Sequence, residues 1–338
     1  MNQSNKQNPI NQCRVLVTAT SFGKGTPEMK SFLENSVGEV IYNTKGRPLQ
    51  SAELVPLMKD IDGFIAGLDD VNESVIQAGN RLRVIARYGV GVDRVDLEAA
   101  TRHKIIVTNT PGANSVAVAE LTLGFILGLA RNLCNANETT RAGEWQRFNG
   151  VGLRGKVVGL VGLGAIGREV ELRLRGFNCR ILASDPNVTA EQASQYGVEL
   201  VSLDQLLAQS DFISLHSPVL DSTKGMVNRE FLKSIKAGAY LINTARGELI
   251  DEDALVEALQ SGQLRGAALD CFCKEPPPAD HPLLKFSQVI VTPHSGSHTD
   301  DAVDQMGWMA MQECLAVLQN QPPRFIVNPQ VYQDEPPQ

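Results

Sequence analysis

A run of small and branched apolar residues, VVGLVG, opens at residues 162–167 into Gly162, Gly164 and Gly167 and continues as the helix-like stretch REVELRL. The spacing G-x-G-x-x-G after a strand-like run limits the fold sharply. The first glycine permits a tight strand-to-helix turn, the second lets backbone approach a pyrophosphate, and the third lets the helix pack close to its strand. Phosphate then sits on the helix N-terminus, where free amides and the helix dipole favour an anion. An ordinary tight turn with a helix cap uses similar glycines. The context separates the two, because RILASD resumes strand character and ends on Asp185, an acceptor for ribose hydroxyls. The sequence therefore predicts a parallel α/β domain that binds a dinucleotide.

The chain has 338 residues, 43% of them hydrophobic and only 5% aromatic, which suffices for two domains with ordinary cores. A formal charge of -7 and a pI near 5.4 provide no basic footprint, so neither nucleic acid nor an anionic membrane is expected as a partner. The N-terminal MNQSNKQNPINQ is polar, and the longest apolar helix pattern, 116–130, carries Glu120 and is too short to span a bilayer. A cytoplasmic location is expected. Six cysteines (13, 134, 179, 271, 273 and 314) lack C-x-x-C spacing and read as reduced thiols. Cys271 and Cys273, the only close pair, stand two residues apart in C-x-C rather than metal-type C-x-x-C spacing. No metal is expected.

From Cys13 to Asn109, the runs CRVLVTAT, VIYN, DGFIAG, VIARYG and IIVTNT alternate with helix-like segments. The rhythm restarts with VVGLVG, RILASD, VELV, FISLHS, AYLINTA, GAALDCF and VIVTPH. Alternation of this kind gives two parallel, doubly wound sheets. Residues 114–132 recur with helical spacing and read as an interdomain helix. Local pattern leaves open whether the amphipathic stretch 301–318 caps the second sheet or returns to the first.

Open α/β sheets bind ligands beyond the carboxyl ends of their strands. Arg246 follows AYLINTA, Glu275 lies just past GAALDCF, and His294 ends VIVTPH. Histidine is the natural acid/base near neutrality, a carboxylate can orient it, and a guanidinium suits a substrate carboxylate or a carbonyl oxygen that gains charge. With a nicotinamide as hydride carrier, these parts describe interconversion of a 2-hydroxy acid and a 2-keto acid. Plainer readings exist: Arg246 as a helix-terminal ion pair near Asp251, His294 as a turn residue, Glu275 as a solvated loop charge. In the first half, Arg87, Tyr88 and Gly89 end VIARYG, and Asn109 ends IIVTNT. His216 reads as lining or packing near the cofactor, His298 as a hinge residue, and His103 and His281 as surface residues.

The segments ARYGVGVDRVDLEAA, TNTPGANSVAVAELT, GLVGLGAIGRE, LINTARGELIDEDAL, ALDCFCKEPPP and TPHSGSHT resemble the D-isomer-specific 2-hydroxyacid dehydrogenases, particularly their phosphoglycerate dehydrogenase branch. The resemblance spans residues 15–318. It implies a discontinuous, flavodoxin-like substrate domain, 1–110 plus 299–338, and a Rossmann NAD-binding domain, 111–298, with a cleft between them and hinges near 109–111 and 297–300. It implies that Arg246 anchors the substrate, His294 is the acid/base and Glu275 its partner. Substrate contacts fall to Arg87 and to the backbone amides of Tyr88, Gly89 and Val90. The implied cofactor set is Gly162, Gly164, Ala165, Ile166, Gly167, Asp185, His216, Pro218, Thr223, Thr244, Ala245, Asp270 and Gly296. A homodimer through the NAD domain, including the arm near 141–145, is also implied. The charge of Asp185, with no cation at Pro186 or Asn187, favours NAD over NADP.

Departures from the branch concern the substrate. Where an arginine commonly follows the third N-terminal strand, this chain has Gly67, Asp69 and Asp70. Lys24, Lys45 and Arg47 lie on loops after the first two strands and read either as grips for a distal anion or as solvated charges. Cys271 replaces the usual valine or isoleucine before Phe272. No regulatory domain follows, so serine feedback through one is not expected. The leading substrate pair is 3-phosphoglycerate with 3-phosphohydroxypyruvate; glyoxylate, hydroxypyruvate and D-lactate-type acids are alternatives. An NAD(H)-sensing, co-repressor-like protein is the alternative of another class. Glu275 argues against formate dehydrogenase, which pairs its histidine with glutamine.

Overall fold

The computed structural model describes residues 8–333. Its backbone contacts divide it into two units, one comprising residues up to Asn114 together with those from Thr299 onward, the other Ser115–His298. The division falls at Asn114 rather than at Thr110–Pro111 because residues 110–113 stay bonded to the first unit. The amide of Thr110 donates to Gly89, and Ala113 is buried in that unit's core.

In the first unit, β1 (Arg14–Val17), β2 (Glu39–Tyr42), β3 (Gly63–Ala66), β4 (Val84–Arg87) and β5 (Ile106–Thr108) pair in parallel in the order β2-β1-β3-β4-β5. These strands are continuous apolar runs because helices cover both faces of the sheet. The helix Asp300–Leu318, capped by Thr299, covers one face with Met306, Ala310, Met311, Cys314 and Leu318. Burial of each large apolar side chain stabilises the unit by about 1.5–3 kcal/mol. Gly63 makes the close packing possible, since a Cβ there would stand 2.7 Å from Cys314 Sγ. At the helix C-terminus Arg83 donates to the carbonyls of Val317 and Leu318, where a cation also complements the dipole. The stretch whose partner the sequence left open thus packs on the first sheet.

In the second unit, β6 (Val157–Val161), β7 (Arg180–Ser184), β8 (Glu199–Leu200), β9 (Phe212–Leu215), β10 (Ala239–Asn243), β11 (Leu264–Leu269) and β12 (Val289–Val291) form a parallel sheet ordered β12-β11-β10-β9-β6-β7-β8. Connection direction reverses between β6 and β9, which opens a crevice at their carboxyl ends. The helix Ser115–Arg131 runs beside the helix Ala165–Leu174 and over β10 and β11. It is therefore a core helix of this unit, not the interdomain element expected from its spacing. Among the described residues, no single helix is long and apolar enough to cross a membrane.

Candidate active site

The glycine turn leads from β6 directly into the helix Ala165–Leu174. Each glycine has a different neighbour. A Cβ on Gly162, whose φ is +102°, would meet the His216 carbonyl at 2.9 Å, and one on Gly167 would stand 2.4 Å from the Gly162 oxygen. A Cβ on Gly164 would find nothing within 4 Å. The outer two glycines allow close packing, while the middle one faces open space. Gly164 is also the N-cap and supplies no capping side chain, so the first-turn amides of Ala165, Ile166 and Gly167 remain available to an anion.

Asp185, at the end of β7, accepts the amide of Leu163 at 2.8 Å and that of Asn187 at 2.8 Å. These bonds orient the carboxylate beside the glycine turn and leave each oxygen further acceptor capacity. Open space over Gly164, uncapped amides and a fixed carboxylate fit a dinucleotide's pyrophosphate and ribose. His216 follows β9, and its ring nitrogens are buried without a hydrogen-bond partner among the described residues. Desolvation pushes its pKa down from 6.5 to about 4, so the ring is neutral at pH 7. The hydroxyl of Thr223 accepts from Leu220 and donates to the Pro218 carbonyl at 2.7 Å, which shapes the 218–223 turn.

The reactive side chains gather at β10, β11 and β12. Asn243, fully buried at the end of β10, accepts from the Ala245 amide at 3.0 Å and donates to the Arg246 carbonyl at 2.7 Å, folding the 243–246 segment around itself. The Thr244 hydroxyl lies 2.9 Å from that of Thr122 on the helix Ser115–Arg131. Arg246 donates from Nη1 to the Ala245 carbonyl at 2.7 Å. Behind it, a Cβ on Gly247 would stand 2.0 Å from the Phe272 carbonyl carbon, so this backbone and the segment after β11 are in direct contact.

His294 Nδ1 lies 2.9 Å from each carboxylate oxygen of Glu275. Glu275 also accepts from the Phe272 amide at 3.2 Å. With Nδ1–H donating to the carboxylate, Nε2 keeps its lone pair for a reacting proton. His294 itself has φ +50°, a left-handed conformation that costs a non-glycine residue about 1 kcal/mol. Asp270, 1% exposed, holds that turn: its carbonyl accepts the His294 amide, and its carboxylate accepts the amides of Ser295 and Gly296, each at 2.8 Å, and the Thr292 hydroxyl. The sheet positions the turn further, because β11 and β12 are paired neighbours.

Several expectations require correction. The Tyr88 amide donates to Ala66 in the neighbouring strand, because the ladder of β4 continues one residue past its end, and the Gly89 amide closes a local turn on the Arg87 carbonyl. Arg87 folds over this same backbone, donating to the Tyr88 carbonyl. The Tyr88 hydroxyl is equally engaged, at 2.7 Å from the Val303 carbonyl. Of the three amides assigned to a substrate carboxylate, that of Tyr88 is committed to the sheet. Lys45 and Arg47 are neither open grips nor merely solvated: both pair with Glu53, Arg47 in a bidentate fork at 2.7 and 2.9 Å. Asp69, 1% exposed, accepts from Leu49, Gly67 and Thr18 and so stitches the ends of β1 and β3. His281, expected on the surface, is half-buried; it lies against Phe272 and 3.2 Å from Glu252, which in turn accepts the Cys273 amide. Asn243, Gly247 and Glu252 were missed. Only Asn243, a polar residue ending a buried strand, carried a local signal.

The profile of the D-isomer specific 2-hydroxyacid dehydrogenases, NAD binding domain, matches residues 123–296. The chain belongs to this family, and its second unit is the NAD-binding type. It is 43% identical over 296 residues to the D-3-phosphoglycerate dehydrogenase of Methanocaldococcus jannaschii, covering 86% of this chain and 56% of that one. The chain thus spans about half the length of the phosphoglycerate dehydrogenases it matches. It is 38% identical over 314 residues to the glyoxylate reductase of Thermofilum pendens, covering 90% and 93% of the two chains. Among solved structures, the TT0316 protein of Thermus thermophilus superposes with a TM-score of 0.83 at 37% identity, over 93% of this chain and 99% of that one.

Proposed function

We propose that the chain is an NAD-dependent dehydrogenase interconverting D-2-hydroxy acids and 2-keto acids, with 3-phosphoglycerate and 3-phosphohydroxypyruvate as its leading pair. The observation that carries the reading is the His294–Glu275 hydrogen bond, on the same sheet edge as Arg246 and the glycine turn. In the oxidative direction His294 Nε2 takes the substrate hydroxyl proton, and Glu275 offsets the imidazolium charge that forms. Arg246 pairs with the substrate carboxylate and polarises the oxygen that becomes a carbonyl. A nicotinamide dinucleotide held at the glycine turn and Asp185 would supply the hydride acceptor in this direction and the hydride donor in the other. The first unit serves as the substrate domain, contributing Arg87 and the backbone at Gly89 and Val90, and the second as the NAD domain. The phosphorylated pair is supported by the likeness to phosphoglycerate dehydrogenases.

A second substrate reading, an unphosphorylated acid such as glyoxylate or hydroxypyruvate, is favoured by Glu53 engaging both Lys45 and Arg47 and by Asp69 standing after β3. The glyoxylate reductase relative matches over nearly its whole length. A cytoplasmic homodimer completes the reading, supported by the exposure of Trp145 near the expected arm. The test is NADH turnover by the purified chain on 3-phosphohydroxypyruvate, hydroxypyruvate, glyoxylate and pyruvate. Preference for the first establishes the leading pair, and preference for another establishes the second reading. NAD binding with no turnover on any of them overturns both.

A further inference from the structure

Cys271 stands immediately before Phe272, beside the acid/base pair. Its thiol is buried, donates to the Ala245 carbonyl at 3.4 Å, and has no part in the proposed hydrogen-transfer chemistry. The Cys271 sulfur, a Glu275 carboxylate oxygen and a His294 ring nitrogen all lie within 4.8 Å of one another. We propose that these three side chains form an inhibitory site for a thiophilic divalent cation such as zinc.

The donor set suits that ion. Thiolate, imidazole and carboxylate are the three side-chain ligand types of protein-bound zinc, and three of them leave one position for water. Tetrahedral bonds of about 2.0–2.3 Å require ligand atoms about 3.3–3.6 Å apart, so from their separations of up to 4.8 Å the three atoms need shifts of only about 1 Å. One thiolate, one carboxylate and a neutral imidazole also cancel a double positive charge, as a partly buried site requires. Arg246 lies within electrostatic reach of the thiol and opposes a cation, while Asp270 and Glu248 act on it with the opposite sign. Magnesium and calcium prefer sets built only of oxygen and are poor occupants.

Binding forms metal–sulfur, metal–nitrogen and metal–oxygen bonds in place of three bonds to water. The thiol proton leaves to solvent, and the imidazole proton moves from Nδ1 to Nε2. Both changes stop proton transfer, because Nδ1 no longer holds Glu275 and Nε2 no longer offers a lone pair. The inhibitory consequence rests on the acid/base reading of His294; occupation of the site does not.

The test uses the full purified chain with cobalt(II) as a spectroscopic probe and zinc(II) as the inhibitor. A sulfur-to-cobalt charge-transfer band is expected to saturate at one ion per chain and to vanish in Cys271→Val, while Cys273→Ser retains it. Zinc is expected to inhibit reversibly, with chelator restoring activity and magnesium having no effect. Cys271→Val should keep basal activity and require at least about 100-fold more zinc, since loss of an outer-sphere partner alone costs 10–100-fold in affinity. Cys271→Ala provides the same comparison should the valine fit poorly. A cobalt–sulfur band or zinc sensitivity that survives in a folded Cys271 variant overturns the site. A Cys271-dependent cobalt band without zinc inhibition upholds the site and overturns the acid/base assignment of His294.

Discussion

Gly247 lies so close to the main chain of Phe272 that a Cβ would stand 2.0 Å from its carbonyl carbon and 2.3 Å from its oxygen. Both atoms are backbone and cannot rotate away. Gly247→Ala should destabilise the chain by about 3 kcal/mol or more and lower turnover, because the segments carrying Arg246 and Glu275 must separate. Gly164→Ala provides the contrast: its φ of −71° is ordinary and its surroundings are open, so stability should hold while the Kd for NAD rises. Urea unfolding and NAD titration of the two variants check this pair of outcomes.

Replacing His294 with asparagine should reduce kcat by about 10²–10⁴-fold and leave NAD affinity nearly intact, since proton transfer is lost while the glycine turn is untouched. Asparagine also tolerates the left-handed backbone. Parallel loss of NAD binding would assign His294 to the fold rather than to the reaction.

Asp185→Asn removes the charge and keeps an acceptor for only one of the two amides, since Leu163 and Asn187 donate to separate carboxylate oxygens. The expected result is a weaker NAD complex, by about 10-fold on the scale of a charged hydrogen bond, and a narrowed preference over NADP. Steady-state kinetics with both cofactors decide it.

His216 is held neutral, with a pKa of about 4 against 6.5 unfolded. The unfolded chain therefore binds the extra proton, and stability falls as pH drops from about 6.5 towards 4, by up to about 3 kcal/mol from this group. In His216→Asn that portion of the pH dependence should disappear. Urea midpoints at pH 7.5 and pH 5 for both proteins measure it.

Glu53 is fixed by its own capping box with Gln50, so the loop charges of Lys45 and Arg47 come to it rather than the reverse. With Glu53→Gln they are released. The KM for 3-phosphohydroxypyruvate should then fall, whereas Lys45→Ala in the wild-type background should scarcely change it. A large rise in that KM for Lys45→Ala would show that the lysine leaves Glu53 to grip the phosphate.

Much of this architecture was legible from periodicity, because each of the runs read as strands became one, and parallel order followed from their alternation with helices. The expected sites at residues 162–167, 185, 246, 275 and 294 fall at strand ends for the same reason. What escaped depends on partners distant in sequence. Nothing local to VIARYG reveals that Ala66 takes the Tyr88 amide, nor does the loop holding Lys45 and Arg47 show that Glu53 is anchored within reach. His281 shows the same limit, since its neighbours Phe272 and Glu252 belong to other segments. The helical spacing of residues 115–131 was correct, but spacing does not say which sheet receives the buried face.

The left-handed backbone of His294 is held by Asp270, whose carbonyl accepts the His294 amide and whose carboxylate accepts from Thr292, Ser295 and Gly296 around it. On heating, loosening of those few hydrogen bonds lets the residue relax to a commoner conformation while the sheet beneath it stays intact. Thermal inactivation should accordingly precede the melting of secondary structure, and cooling before the sheet opens should restore the activity.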